Sequence, residues 1–372
     1  MTHIPSELRR AVAVLSFCAL AGGTVSGCGL LKPAATLLPP TTKYTASAKL
    51  ASNLASLGDL SGPVHGTLQI GDETRKLSGT VAIKDKDSQI RLVDDTDRTM
   101  ADEIVIGGRR YTSPDDKLWI DRGAKPAGTS LAAALAAADT THNAGPKTVE
   151  SVTAQQILTP ADVVDVAPAL GIDTWTFDNE STTLRVWADA AGKPLGFGAT
   201  MTWQVNLAGG QKPVTVEIDV MFTDTSPVEI KAPDAPWQWI EDKEYGVAVG
   251  LPPGWKLDAK SIPTKVAYSD KATKSLITYH HLHTANQSLD EVSQDAIGAL
   301  DPAPSGPEKV SIAGEPASRY RHDDTFTSMY HVLTIALHET MGWVLDVSGP
   351  KTNKLAVDDL ATQVMSTVEF TR

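Results

Sequence analysis

In the stretch "VTVEIDVMFTD" every second residue is apolar. Val214, Val216, Ile218, Val220 and Phe222 fall on one side. Thr215, Glu217, Asp219 and Thr223 fall on the other, and Met221 alone breaks the rule. Such alternation predicts an antiparallel strand with one dry face and one wet face. The same period sets Met201, Trp203, Val205 and Leu207 of "GATMTWQVNL" against Thr200, Thr202, Gln204 and Asn206, and it puts Leu184 and Val186 of "TTLRVWAD" on one face. Earlier, "GTVAIK", "SQIRLVD" and "EIVIGGRRY" alternate between turns carrying Gly-Asp, Lys-Asp-Lys-Asp and Gly-Gly,. Helical spacing is confined to three stretches here. Leu50, Leu54 and Leu57 precede Gly58 as a stop, and Leu131 and Leu135 stand four apart in "SLAAALAAADT",. "TPADVVDVAPAL" predicts a helix with Thr159 as N-cap, Pro160 at the first helical position and Pro168 at its end,.

Pro233 and Pro236 break the chain, which predicts a boundary near Ala235. A second set of elements follows. Tyr245, Val247 and Val249 alternate before the turn Pro252-Pro253-Gly254, and "SLITYHHLH" reads as a strand. "SLDEVSQDAIGAL" reads as a helix with a Ser288/Glu291 capping box,. "EKVSIAGEPASRYRHDD", "FTSMYHVLTIALHE" and "MGWVLDVSG" read as three strands. A last helix, "KLAVDDLATQVMSTVEF", directs Leu355, Leu360 and Val364 to a core,. Strand runs with a few helices predict an α+β class in two domains, residues 44–235 and 236–372,.

The first residues add a location. Arg9 and Arg10 precede the apolar run "AVAVLSFCALAGGTV", which is shorter than the roughly 18–20 residues a membrane-spanning helix needs,. It ends at "VSGC", which resembles a bacterial lipobox. That resemblance implies export as a lipoprotein, cleavage after residue 27 and acylation (palmitate and diacylglycerol) of Cys28. The alternative is an uncleaved anchor with an incidental Cys28, and both readings keep the chain on a membrane. The residues after the paired arginines, Ala11-Val12-Ala13, favour general secretion over twin-arginine export. Residues 28–43, rich in Pro, Ala and Thr, read as a tether of at most about 50 Å when extended,.

The chain has only two cysteines, Cys18 and Cys28, so removal of the leader leaves no possible disulfide and the fold must rest on its apolar cores,. The net charge is −12, and loss of Glu7, Arg9 and Arg10 makes it one unit more negative. An acidic exported chain is a poor nucleic-acid binder and should not lie flat on anionic headgroups.

Two family resemblances follow. From about Tyr44 to Ala235 the lipobox, the first helix, "IVIGGRRYTSPDDKLWI", "TPADVVDVAPAL", "RVWADAAGKPLG" and "SPVEIKAPDA" resemble LppX/LprG-type lipoproteins of actinobacteria. That implies a half-barrel, a curved antiparallel sheet with helices on one face, and an apolar cavity for acylated lipid or lipoglycan. From about Trp237 to Arg372, "YGVAVGLPPGWKL", "VSIAGEPASRY", "YHVLTIAL" and "MGWVLDVSG" resemble the Mog1/PsbP-like fold, and LpqN-type lipoproteins in particular. That implies a domain that docks a protein, such as an envelope transporter or synthesis enzyme.

The expected cavity lining is Leu184, Val186, Met201, Trp203, Val205, Val214, Val216, Ile218, Val220 and Phe222. Alternation alone does not separate such a lining from a filled core, so a ligand-free surface adaptor is the second reading. The third is a metal-binding lipoprotein. His281 and His283 share a strand face and are the weak metal candidates, but no third ligand is fixed by spacing,. No G-x-S-x-G elbow, P-loop or dinucleotide fingerprint is present, and the pairs Asp94-Asp95, Asp115-Asp116 and Asp358-Asp359 read as solvated turns or helix faces,. A non-catalytic protein without a cofactor is expected.

Overall fold

The structure, a computed structural model, describes residues 50, 52–54, 57–97, 99–114, 117–124, 135–136, 143–149, 152–160, 181–207, 210–224, 226–243, 246–259, 261–262, 265–284, 287–313, 315–338 and 341–370. These divide between two compact units, one ending at Asp234 and one beginning at Ala235. The signal segment, Cys28, the tether and the expected helix over 161–168 lie outside the described residues.

The first unit is a large antiparallel sheet. Its strands are β1 (Asp59–Ile70), β2 (Glu73–Lys84), β3 (Asp87–Asp94), β4 (Thr99–Ile106), β5 (Arg109–Thr112), β6 (Ile120–Ala124), β7 (Asn143–Val149), β8 (Val152–Pro160), β9 (Ser181–Ala188), β10 (Pro194–Leu207) and β11 (Gly210–Met221). They are ordered β6-β5-β4-β3-β2-β1-β11-β10-β9-β8-β7. Two meanders are therefore joined where the first strand pairs with the last, Leu68 opposite Val216. Helical residues Leu50, Leu54 and Leu135 are buried, as their spacing requires.

Three expectations change. β1 carries no strand expectation, because Gly62, Pro63 and Gly66 interrupt its alternation of Leu60, Val64, Leu68 and Ile70. β7 and β8 pair antiparallel as two strands where none is expected. Thr159 and Pro160 are strand residues opposite Leu184 and Thr183, so Pro160 does not open a helix there. The N-cap reading failed because a cap residue and a strand residue share the same extended backbone.

The sheet curls toward its apolar face, and its glycines show why. A Cβ at Gly62 would lie 1.8 Å from the Met221 carbonyl oxygen of β11, and one at Gly79 would lie 1.8 Å from the Arg91 oxygen of β3. Both absent side chains would point to the same face as Leu60, Val64, Leu77 and Val81. The neighbouring strand thus rises into the space above each glycine, and only glycine permits that bend. The other face is ordered by polar ladders. Arg185 donates to Thr200 Oγ1 at 2.8 Å and to Asp219 at 3.1 Å. The closing segment brings Val228 and Ile230 against Ile104, Tyr111 and Trp119.

The second unit has a sheet of β14 (Lys256–Leu257), β15 (Lys265–Asp270), β16 (Ser275–His283), β17 (Ser305–Ile312), β18 (Glu315–Asp324), β19 (Met329–His338) and β20 (Met341–Pro350). Its order is β14-β15-β16-β20-β19-β18-β17. β12 (Trp237–Asp242), β13 (Val247–Leu251) and β21 (Glu369–Phe370) pair beside it. "EKVSIAGEPASRYRHDD" is a hairpin of two strands, turning at Ala313 with φ +49°, rather than one.

Helix α1 (Leu289–Ile297) has the expected capping box. Ser288 Oγ accepts from Glu291 N at 3.3 Å, and Glu291 accepts from Ser288 N at 2.7 Å. Helix α2 (Lys354–Thr367) buries Val357, Ala361, Val364 and Met365. Leu355 lies off that stripe and is 82% exposed, so it does not join the core as expected.

The expectation of helices on one face also fails in this unit. α1 packs with Leu333, Ile335 and Val344, whereas α2 packs with Val332, Trp343, Leu345 and Val347. Those are alternate residues of the same strands. Both faces of β19 and β20 are apolar, so each needs its own cover.

Candidate functional site

The concave face of the first unit is built from rungs that cross it strand by strand. Val64, Val220, Phe197 and Val186 form one. Gly66, Ile218, Ala199 and Leu184 form the next, and Leu68, Val216 and Met201 the third. Ile70, Val214 and Trp203 form the fourth. Beyond β1 the face continues through Leu77, Val81, Ile83, Ile90 and Leu92. Every side chain named here is below a tenth exposed. The second rung pairs large Ile218 and Leu184 with the two smallest residues, Gly66 and Ala199, and Ile218 Cγ2 lies 3.0 Å from where a Gly66 Cβ would stand.

Eight of the ten anticipated lining residues sit on this face: Leu184, Val186, Met201, Trp203, Val214, Val216, Ile218 and Val220. Phe222 follows the end of β11 and is half-buried, with its ring 6.0 Å from Phe197. The Val205 side chain lies outside the described residues. Sequence reasoning missed Phe197 and Ala199, and all of β1. The signal for β1 was present once glycine is counted as an inward position in Leu60-x-Gly-x-Val64-x-Gly-x-Leu68.

Charged groups stand at the edge of the apolar face. Arg75, opposite Leu68, donates through Nη1 to Asp94 at 3.0 Å, and the two side chains are 6% and 0% exposed. Arg75 also holds Glu73 at 2.6 Å. Burial opposes the guanidinium charge, but the hydrogen bonds it donates to Glu73 and Asp94, with their charges, outweigh it and raise the pKa. Asp94 is therefore not the solvated turn residue its place beside Asp95 suggested. Glu103, opposite Ile90, is likewise buried and accepts from Arg110. Asp115 and Asp116 lie outside the described residues. Asp358 accepts from Arg321 at 2.9 Å and from the Tyr330 hydroxyl at 3.1 Å.

The histidines of the second unit do not converge as a metal site. His281 faces the α2 side with its ring 6.1 Å from Trp343, and the His283 side chain lies outside the described residues. Among the described residues no group of three or more His, Cys, Asp or Glu is placed to hold a metal ion. The opposite face carries another set instead. His331 Nδ1 lies 3.0 and 3.1 Å from the two Asp346 oxygens, and the His322 ring is 5.9 Å away.

Burial disfavours the charged form of His331. The Asp346 hydrogen bond and charge, with Asp324 behind, outweigh it, so its pKa is raised. His280, on the same face, is pushed down by burial, with Lys265 and His281 adding and Asp346 partly opposing.

The two shifts give opposite pH slopes. The His331 contribution is fully present below the ordinary histidine value of about 6.5 and is lost as pH rises through its raised folded value. His280 costs stability as pH falls below that same ordinary value. His331→Gln is expected to destabilise the protein by about 1.5 kcal/mol at pH 5.5 and by clearly less at pH 8.5. Urea denaturation at the two pH values measures this, and an equal loss at both would contradict the assignment.

No family model matches the chain, and no curated protein does. Among solved structures, cyanobacterial PsbP (CyanoP) from Synechocystis sp. PCC 6803 is similar over 40% of this chain and 99% of its own, at 13% identity and a TM-score of 0.31. LprF from Mycobacterium bovis is similar over 52% of this chain and 99% of its own, at 13% identity and a TM-score of 0.25. A DUF1329 family protein from Desulfovibrio piger is similar over 49% and 94%, at 12% identity and a TM-score of 0.24. Similar structures thus include a PsbP protein and LprF, each over about half of the chain or less. At these scores the likenesses carry no functional argument. Among the described residues no helix is long and apolar enough to cross a membrane.

Proposed function

We propose that the chain is a membrane-anchored extracytoplasmic lipoprotein, non-catalytic, whose first unit carries acylated lipid on its concave face. The observation that carries this reading is the contiguous apolar face of β9, β10, β11, β1 and β2, curled inward at Gly62 and Gly79. Each methylene withdrawn from water there contributes about 0.8 kcal/mol, so a long acyl chain gains ample affinity without a polar contact. The lipobox at Cys28 supplies the anchor in this reading, and two acyl chains hold a protein at a bilayer almost permanently. The second unit, with apolar cores on both sides of its sheet, serves as the docking domain for an envelope partner.

Ala199→Trp tests the reading directly. Ala199 is fully buried between Ile218 and Leu184. If a ligand space lies above it, the indole occupies that space: binding of a fluorescent fatty-acid probe falls at least about tenfold while the melting temperature holds. If the face is a filled core, the added ring is overpacked and costs about 1–3 kcal/mol or more. Loss of stability without any probe binding to the parent chain supports the adaptor.

A further inference from the structure

One end of the second unit is built to present apolar side chains to its surroundings. β16 begins where β20 ends, with Leu276 opposite Ser348, and β19 begins there too, with Met329 opposite Pro350. The turn between β15 and β16, the turn between β18 and β19 and the start of α2 therefore emerge side by side. Among the described residues, the two most exposed large apolar side chains both lie here: Phe326 at 86% and Leu355 at 82%.

Neither belongs to a loose segment. Asp324 accepts from Phe326 N at 2.8 Å, from Thr327 N at 3.2 Å and from Thr327 Oγ1 at 2.6 Å. Those bonds, Thr327 first, pull its carboxyl down to about 2. Lys351 N donates to the Ser328 oxygen at 3.2 Å, and Lys354 Nζ donates to Asp323 at 2.6 Å while lying 5.0 Å over the Tyr330 ring. The Phe326 turn and the Leu355 helix start are thus stitched together and held outward. The backbone under Phe326 is fixed by these bonds, so two large apolar side chains face water from neighbouring, ordered segments.

The charge at this end is set by how its acids are engaged. Asp270 is turned into its own loop, accepting from Ala272 N at 3.1 Å and from Thr273 N and Oγ1 at 3.1 and 2.7 Å. Asp324 is folded back in the same way, and Asp323 is bound to Lys354. Lys271 and Lys274 are exposed, and Lys351 is half-exposed beside them. In a chain of net charge −12 this end offers apolar tips flanked by Lys271, Lys274 and Lys351, with one exposed acid, Asp359, a helical turn behind Leu355.

We propose that this end is a membrane-contact tip: Phe326 and Leu355 enter the headgroup boundary of a bilayer while Lys271, Lys274 and Lys351 meet anionic lipid phosphates. The acidic remainder of the chain is repelled from such a surface, so the contact is made end-on. It is independent of the acyl anchor and of cargo binding in the first unit, and its test uses a chain lacking the anchor.

The test uses the chain from residue 28 with Cys28→Ser, which carries no other cysteine. A polarity-sensitive dye is placed at Thr325→Cys, beside the tip, or at Gln294→Cys on the exposed side of α1. With phosphatidylglycerol/phosphatidylcholine vesicles in 0.1 M salt (~10 Å screening length), the protein is expected to sediment. The dye at position 325 should shift to the blue and the dye at position 294 should not. Phe326→Asp with Leu355→Asp is expected to cut vesicle binding at least about tenfold and leave the melting temperature unchanged, since both side chains face outward. Absence of sedimentation, which would leave the tip as a protein contact, overturns the proposal. Equal binding by the double variant overturns it too.

Discussion

A chain carrying Gly79→Val is expected not to fold its first unit. The added Cβ would stand 1.8 Å from the Arg91 carbonyl oxygen, 2.8 Å from its carbon and 3.1 Å from the Leu92 Cα. All three are backbone atoms of the paired strand, so no rotamer change relieves the contact. β2 and β3 would have to separate or flatten, and with them the bend that makes the apolar face concave. The cost exceeds the about 1–3 kcal/mol of ordinary overpacking, and such a chain should be recovered unfolded or aggregated. Gly107→Ala is the matched control. A Cβ there meets nothing within 4 Å, and only its φ of +57° is strained, for about 1 kcal/mol,. Circular dichroism and soluble yield measure both. A stable, folded Gly79→Val protein would mean that the sheet is flatter than described.

The second large effect is expected at Asp94→Ala. The carboxylate accepts from Arg75 Nη1 at 3.0 Å, from Thr96 N at 2.9 Å and from Thr96 Oγ1 at 2.6 Å. Its removal leaves Arg75 buried beside the carboxylate of Glu73, whose side chain is 54% exposed. Glu73 still accepts from Arg75 Nε at 3.1 Å and from Nη2 at 2.6 Å, so part of the compensation remains. Loss of the buried charged partner costs about 2–3 kcal/mol, which lowers the melting temperature by roughly 6 °C in a unit of this size. The double change Arg75→Met with Asp94→Leu removes both charges and fills similar volume. It is expected to recover most of that loss, because two apolar groups pack where an ion pair needed desolvation. Thermal unfolding of the three chains decides this. A double variant as unstable as Asp94→Ala would show that the pair is required for packing rather than for charge balance.

The strands that could be read in advance are those whose inward positions are large. Val214 to Val220 and Met201 to Trp203 announced their face by period two, and the structure buries them on one side. β1 was not legible, because its inward positions include Gly62 and Gly66, which a count of apolar residues passes over. Those glycines are the ones the bend requires. The reading of Thr159 and Pro160 as a helix start failed on local grounds, since β pairing with β9 is a non-local contact.

Charged residues near the candidate site were the least legible. Asp94 sits in sequence beside exposed Asp95, and only the cross-strand approach of Arg75 distinguishes it. In the second unit the capping box fixed α1 well. Period two, applied to β19 and β20, did not say that both faces are dry, and so hid the need for a helix on each side.

The most direct measurement of the central claim is native mass spectrometry of the protein purified from its own host as a chain lacking residues 1–28. The account predicts a population heavier than the polypeptide by the mass of one acylated lipid, released by collisional activation and diminished in Ala199→Trp. A spectrum showing the bare polypeptide alone, together with failure to take up a fluorescent acyl probe, would contradict it and leave a ligand-free adaptor.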